Sequence, residues 1–416
     1  MSLLDAFFTW RQFQRSQWLD REALVRLQRK KLRAVVEHAY RFVPYYRELF
    51  DGAGVRPEQI RSPEDLGRIP ISSKRALQEA GPEAITSGAY RAGALVSERT
   101  SGSSGRPFTV RTDPHWSAVR KALFLRVLWT AGYRPGSRLM MLAGRRGRRW
   151  LPGTGWHYIA FEEPAERVLA KVNRLRPSIL YGWVTPLVQL ADHVRSRGDR
   201  VHAPRAVITT AEGLSDDTRR FLEQTLDAEV YDMYGLTEMG VVAWECDRHD
   251  GYHLSEDSCL VEFVAGADGA PRLVMTNLEM TGTPFLRFET GDLGVRGPAA
   301  PCACGRSLAR LERIEGREID CVELRGGRVI SPYRLTLAVE QVPGVRRYQV
   351  VQEGADRLLI RYETADEETG PIDEALREAI GAVVGEDVRI EARREPGLDP
   401  LPGEKFRVVE RAAARK

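Results

Sequence analysis

Leu24, Leu27, Leu32, Val35, Val36 and Ala39 recur at helical spacing with Arg and Lys between them, so residues 17–50 predict an amphipathic helix and its exit. The basic face is read as solvated helix surface. "RIPISSKRAL" predicts a proline-bounded turn into a helix starting near Ser72 or Ser73. Another helical pattern runs from about Pro114 to Ala131. The short apolar runs in "SRLMMLAG", "RPSILYGW" and "RAVITTAEG" predict buried strands. "SDDTRRFLEQTL" opens a helix with Ser215 as N-cap and acids in the first turn. Strands alternating with helices argue for an α/β fold with substantial parallel pairing.

The last hundred residues read differently. Residues 331–342 and 371–384 predict helices, while "RRYQVVQ", "RLLIRYE" and "DVRIEAR" predict strands. That order describes a small α+β unit. The seam is expected in "RIEGREID", residues 313–320, giving a large domain over 1–316 and a small one over 317–416.

Composition narrows the picture. A chain of 416 residues is long for one core. Its 43% hydrophobic and 29% charged residues describe an ordinary globular protein, and a net charge of +4 gives no argument for a nucleic-acid partner. No apolar run reaches the roughly 18 residues of a membrane span. Arg11 and Arg15 come too soon for a secretory leader, so a cytoplasmic protein is expected. Five cysteines are too few for a disulfide framework. Cys302 and Cys304, two apart in "PCACGR", suit metal ligation, whereas Cys259 and Cys321 read as packing residues.

Chemistry enters with "TSGSSGRPFTV", residues 100–110. Such a run suits a surface loop, and equally a phosphate cradle in which glycines bring backbone N–H groups close to an anion and hydroxyls add donors. "GRRGRRW", residues 144–150, reads as an exposed basic loop. Four further stretches decide between the readings: "TTAEGLS" (209–215), "YGLTEMG" (234–240), "TGDLG" (290–294) and "GEKFRVV" (403–409). With "RIEGRE", their order and spacing resemble the adenylate-forming superfamily of acyl-CoA ligases, adenylation domains and luciferases. Within it the chain looks most like the phenylacetate–CoA ligase and capsule-biosynthesis branch, over roughly residues 30–410.

The resemblance implies a large multi-sheet α/β adenylation domain and a small mobile α+β domain. It also implies ATP-dependent activation of a small carboxylic acid as an acyl-adenylate, then transfer to coenzyme A or, alternatively, to an amine or carrier protein. By the same resemblance, Thr100, Ser101, Gly102, Ser103, Ser104 and Gly105 wrap the phosphates, with Arg106 where the family usually has lysine. Ala211, Glu212 and Gly213 line the adenine, and Tyr234 beside Gly235 offers a stacking face. Thr237 touches the α-phosphate, Glu238 holds Mg²⁺, Asp292 takes the ribose hydroxyls and Arg317 assists from the seam.

Lys405 would swing over the site from the small domain, although Glu404 intervenes in the usual Gly-Lys pattern. At the hinge, Ile319 stands where the family commonly has Asp, and Asp320 follows. Cys246, Cys302 and Cys304 with His253 or His249 would hold a structural zinc ion. His253 fits the family position, and His249 the common Cys-x₂-His spacing. Tyr181, Trp183, Trp156, His157, Tyr158 and Phe161 would wall an aromatic acid pocket, and Arg325 and Arg328 are candidates for coenzyme A phosphates. A homodimer is left open.

Overall fold

The computed structural model describes residues 3–91, 93–100, 108–144, 155–160, 163–266, 270–364, 369–398 and 406–411. Parallel strands Trp156–Ala160, Leu139–Gly144, Ile179–Trp183, Ala206–Thr210 and Glu229–Leu236 lie side by side in that order. Every residue of Ala206–Thr210 is buried, as a strand covered by helices on both faces requires. Register sends Tyr181, Ile208 and Tyr231 to one face, against Val119, Leu123 and Val127 of the helix Pro114–Thr130. Leu180, Val207 and Val230 face the helices Ala165–Leu175, Val184–Arg197 and Asp216–Leu226. Ser215 caps the last of these by accepting from Thr218 N.

Beyond Leu236 the sheet changes character. Strands Gly240–Glu245, Tyr252–Leu254, Arg310–Arg317, Phe288–Arg296, Arg272–Asn277 and Cys259–Val264 extend it in antiparallel fashion. Ser72–Ser73 adds a parallel pair at Phe288, completing 12 strands. The alternation of strand and helix anticipated only the parallel half. The expectation of several sheets is met, with most strands gathered in this one sheet. The hairpin Val96–Thr100/Phe108–Thr112 stands apart from it.

Arg310–Arg317 is the last strand of the large sheet, pairing Arg317 with Asp292. A single 3-10 turn, Glu318–Asp320, follows, and a second core opens at Val322. Here the strands Arg389–Arg394, Arg357–Glu363, Arg347–Gly354 and Val409–Arg411 form a four-stranded sheet in that order. Helices Pro332–Glu340 and Gly370–Val384 pack on it through Leu335, Val339, Leu376 and Ile380. The three-residue strand Val409–Arg411 is too short to carry a period and went unforeseen.

The N-terminal helices Leu3–Ser16 and Arg21–Phe42 are fastened to the large unit by a buried ion pair. Arg126 and Asp257 are both fully buried, 2.8 Å apart. Arg126 also donates to Ser255 Oγ at 2.8 Å, and Ser16 Oγ donates to Asp257 Oδ2. The guanidinium stacks near Phe13 and Trp244. Removing one partner strands the other charge out of water. Arg126→Ala should therefore destabilise the large unit by about 3–5 kcal/mol, read as a lowered urea midpoint. A midpoint within error of the unmodified protein would refute this.

Candidate active site and metal cluster

The loops after strands Ile179–Trp183, Ala206–Thr210 and Glu229–Leu236 leave the sheet at the same end, where open α/β sheets bind ligands. Ala211 takes φ 72°, an uncommon conformation for a residue with a Cβ. Glu212 follows, and its Oε2 accepts from Thr185 N at 2.7 Å in the first turn of Val184–Arg197. Its Oε1 accepts from Phe406 N, from the small unit, at 3.2 Å.

Tyr234, near the end of its strand, donates its hydroxyl to Asp292 Oδ2. Arg317 Nε lies 3.4 Å from Asp292 Oδ1. Burial, then the Asp292 carboxylate, holds the Tyr234 phenol well above its ordinary range. Glu238 is buried on the turn from Leu236 to Gly240. Burial raises its carboxyl, while Lys74 and Arg317 oppose that shift and Asp292 adds to it. Gly235 belongs to the same tight hairpin, where a Cβ would meet Gly240 O at 3.0 Å. Thr237 sits half-buried in the turn.

Lys74 was missed from sequence. It opens the helix Lys74–Ile85 immediately after the Ser73 cap, with no acid in the first turn. A cation there opposes the helix dipole, which was the available signal.

Ser101, Gly102, Ser103, Ser104, Gly105 and Arg106, the loop 145–150, Phe161, Glu404 and Lys405 lie outside the described residues. Thr100 ends the strand that leads into the glycine-rich loop. Among the expected pocket residues, Tyr181 packs edge-on against Phe124 at 5.1 Å, and Phe124 against Trp156 at 6.0 Å. Trp156 Nε1 donates to Tyr133 OH at 2.9 Å. Phe124 and Tyr133 were not anticipated, because they come from a helix and a loop far upstream. Burial pushes the Tyr181 phenol up to about 12. Arg325 pairs with Asp356, and Arg328 donates to the Val383 and Val384 carbonyls at the end of Gly370–Val384, so both engage the small unit itself.

Cys246, His253, Cys302 and Cys304 converge behind this site, their ligand atoms all within 4.8 Å of one another. Cys246 Sγ and Cys302 Sγ are 3.7 Å apart, and Cys304 Sγ is 3.2 Å from His253 Nε2. Zinc–sulfur bonds of about 2.3 Å at tetrahedral angles separate two sulfurs by about 3.8 Å. Burial, with Arg306 and Arg310, lowers His253 to about 4, leaving the neutral imidazole a metal ligand requires. These four side chains fit a closed zinc site. His249 does not join them. Its turn, at φ 48°, points the ring at Glu245 Oε2 (3.3 Å) and Glu229 Oε1 (3.1 Å) instead.

The fold and this arrangement define an adenylate-forming ligase architecture. The chain matches the AMP-binding enzyme family over residues 153–298. It is 32% identical over 359 residues to a phenylacetate–coenzyme A ligase of Thermus thermophilus, covering 80% of this chain and 79% of that one. In fold it is similar to a 2-hydroxyisobutyryl-CoA ligase in the postadenylation state, with TM-score 0.81, 21% identity and coverage of 95% and 91%. Against the same enzyme in its thioesterification state the TM-score is 0.65, at 22% identity and coverage of 95% and 92%. The chain belongs to the phenylacetate–CoA ligase family of AMP-forming acid–CoA ligases.

Asp232, on the motif strand, links the site to the metal cluster. It accepts from Thr209 Oγ1 at 2.6 Å and Tyr252 OH at 2.9 Å, and its N–H donates to Glu245 Oε2 at 2.7 Å. Burial, then Glu245, raises Asp232 from 3.8 to about 6. A carboxyl raised in the folded state contributes most below its unfolded pKa, and that stability is lost as pH rises through about 6. Asp232→Asn should therefore gain on the unmodified protein by about 2 kcal/mol between pH 4 and pH 6–7. Parallel pH–stability curves for the two proteins would contradict this.

Proposed function

We propose that this protein activates an aromatic or arylalkyl carboxylic acid with ATP and passes the acyl group to coenzyme A. The observation that carries the residue roles is the meeting of Asp292, Tyr234, Glu238 and Arg317 at the seam, opposite the segment that follows Lys405. A carboxylate oxygen of the acid attacks the α-phosphorus of ATP, the bond to the β-phosphate breaks, and pyrophosphate leaves. The coenzyme A sulfur then attacks the acyl carbon, its proton goes to solvent, and AMP departs.

Asp292, steered by Tyr234 and Arg317, would accept the two ribose hydroxyls. Ala211, Glu212 and Gly213 would border the adenine, with the ring of Tyr234, beside Gly235, against its face. Thr100 through Gly105 would wrap the phosphates, and Thr237 would meet the α-phosphate. Glu238 would hold Mg²⁺, a hard cation that offsets triphosphate charge. Its desolvated carboxyl regains its charge most readily opposite such an ion. Lys405 would bridge carboxylate and α-phosphate as charge builds. Tyr181, Phe124 and Trp156 support an aromatic acid, as does the name of the Thermus relative.

Lys405→Ala should slow acid-dependent exchange of pyrophosphate into ATP by roughly 100-fold or more, with the KM for ATP changed only severalfold. Exchange at the unmodified rate would remove Lys405 from the mechanism. In the complete reaction, adenylate that persists with coenzyme A yet is consumed by an amine would favour amide ligation.

Cys246, His253, Cys302 and Cys304 would hold one zinc ion in a structural role, since four protein ligands leave no open position. Purified protein should carry about one equivalent of zinc, and Cys302→Ser should lose it and melt at lower temperature. Zinc-free protein from zinc-replete cells would exclude the site.

A further inference from the structure

We infer that Glu212 is a positioning residue that latches the small unit to the large one for adenylate formation and must release it before thioester formation. The inference rests on the proposed two-step reaction. Both carboxylate oxygens are engaged, one by Thr185 N at 2.7 Å and the other by Phe406 N at 3.2 Å. Thr185 begins the helix that follows Trp183, a residue whose side chain has no acceptor for the helix N–H groups. Glu212 supplies that acceptor from the neighbouring loop.

Each end of the latch is firmly held. On one side, Ala211 at φ 72° directs Glu212 off a fully buried central strand. On the other, Phe406 belongs to the small unit. Its ring lies 5.7 Å from the Arg347 guanidinium, and Gln349 Nε2 donates to Arg407 O at 3.1 Å. Val350 N donates to Val408 O at 2.8 Å, and Val409–Arg411 continues as a sheet strand. Pulling on the Phe406 N–H therefore pulls on the whole unit. Other polar ties join the units, among them Ser331 Oγ to Glu315 Oε2 at 3.0 Å, which spans the hinge itself and lies close to any pivot, and Ser215 with Glu340. The Glu212 bond joins residues 194 positions apart in sequence.

A carboxylate suits this task because both partners are donors. Glutamine offers one acceptor and an NH₂ group, so it can satisfy Thr185 or Phe406, but not both. Glu212→Gln thus asks for loss of one bond, and Glu212→Ala for loss of both.

The test compares two half-reactions in Glu212→Gln, Glu212→Ala, Phe406→Pro and the Glu212→Ala/Phe406→Pro double variant. One is acid-dependent pyrophosphate exchange. The other is thioester formation from chemically prepared phenylacetyl-adenylate and coenzyme A, both saturating. Phe406→Pro removes the donor N–H without touching the helix at Thr185. The expected result is a shift of tenfold or more in the ratio of the two rates, toward thioester formation, in every variant. The double variant should shift no further than the stronger single one. Equal loss in both half-reactions would reduce Glu212 to a structural role, and an unchanged ratio would overturn the latch. If the unmodified protein shows no acid-dependent exchange with any acid, the functional reading fails first, and the latch with it.

Discussion

The strand Glu229–Leu236 is the constraint on which the rest depends. On one edge it pairs in parallel with Ala206–Thr210, and on the other it pairs antiparallel with Gly240–Glu245. Parallel pairing demands a helical crossover and so sends each preceding loop to one end of the sheet. Antiparallel pairing demands a tight turn at that same end. The turn is feasible because Gly235 tolerates the Gly240 carbonyl and Gly240 adopts φ 68° against Trp116. Thr237 and Glu238 are thereby set at that end of the sheet. Asp292 and Arg317 arrive from the antiparallel half, where strand pairing rather than chain proximity brings them in.

A metal held by Cys246, His253, Cys302 and Cys304 would secure that antiparallel half. Cys246 follows the strand Gly240–Glu245, His253 sits opposite Trp244 in the next, and Cys302 and Cys304 lie on the loop running into Arg310–Arg317. Arg306, on the same loop, stacks between Trp18 and Trp244 at 4.3 and 4.8 Å. A long loop with little periodic structure gains order from such a clasp, and the strand carrying Arg317 inherits it. Neutral His253 among buried sulfurs fits a role in stability rather than in the reaction.

Much of this was readable in the chain because the parallel half combines two strong periods. Ser215 and Asp113 both cap their helices through the side chain, and each following apolar pattern runs its full length. The antiparallel half was opaque for a physical reason: its strands mix buried and half-exposed positions, as in Cys259–Val264, and no helix separates them. Site residues inside compact motifs, such as Tyr234 and Asp292, were legible. Lys74 and Phe124 were not, since only the tertiary fold brings them near. Cys-x₂-His spacing left His249 open as a ligand. The turn geometry, a property of φ at one residue, turned it toward Glu229 and Glu245 instead.

The seam between the two units carries little apolar surface. The two cores are separate, one ending with the sheet at Arg317 and the other opening at Val322. Between them the turn Glu318–Asp320 buries nothing, and Ile319 is left 55% exposed. Across the seam, beside a small apolar cluster of Ala270, Leu293 and Cys321 with Val329 packed on it, the ties are polar or cation–π, as in Ser331 with Glu315 and Arg313 with Tyr333. Such contacts exchange for water at little net cost, about 1 kcal/mol for a typical hydrogen bond. One steric element limits the motion. Gly316, at φ 103°, lets Pro332 approach so closely that a Cβ would lie 2.9 Å from Pro332 Cγ. The pivot is thus set by a backbone that only glycine adopts easily, placed one residue before the arginine that faces Asp292. Any turn of the small unit would therefore act on Arg317 and, through it, on Asp292, by adjacent residues of one strand.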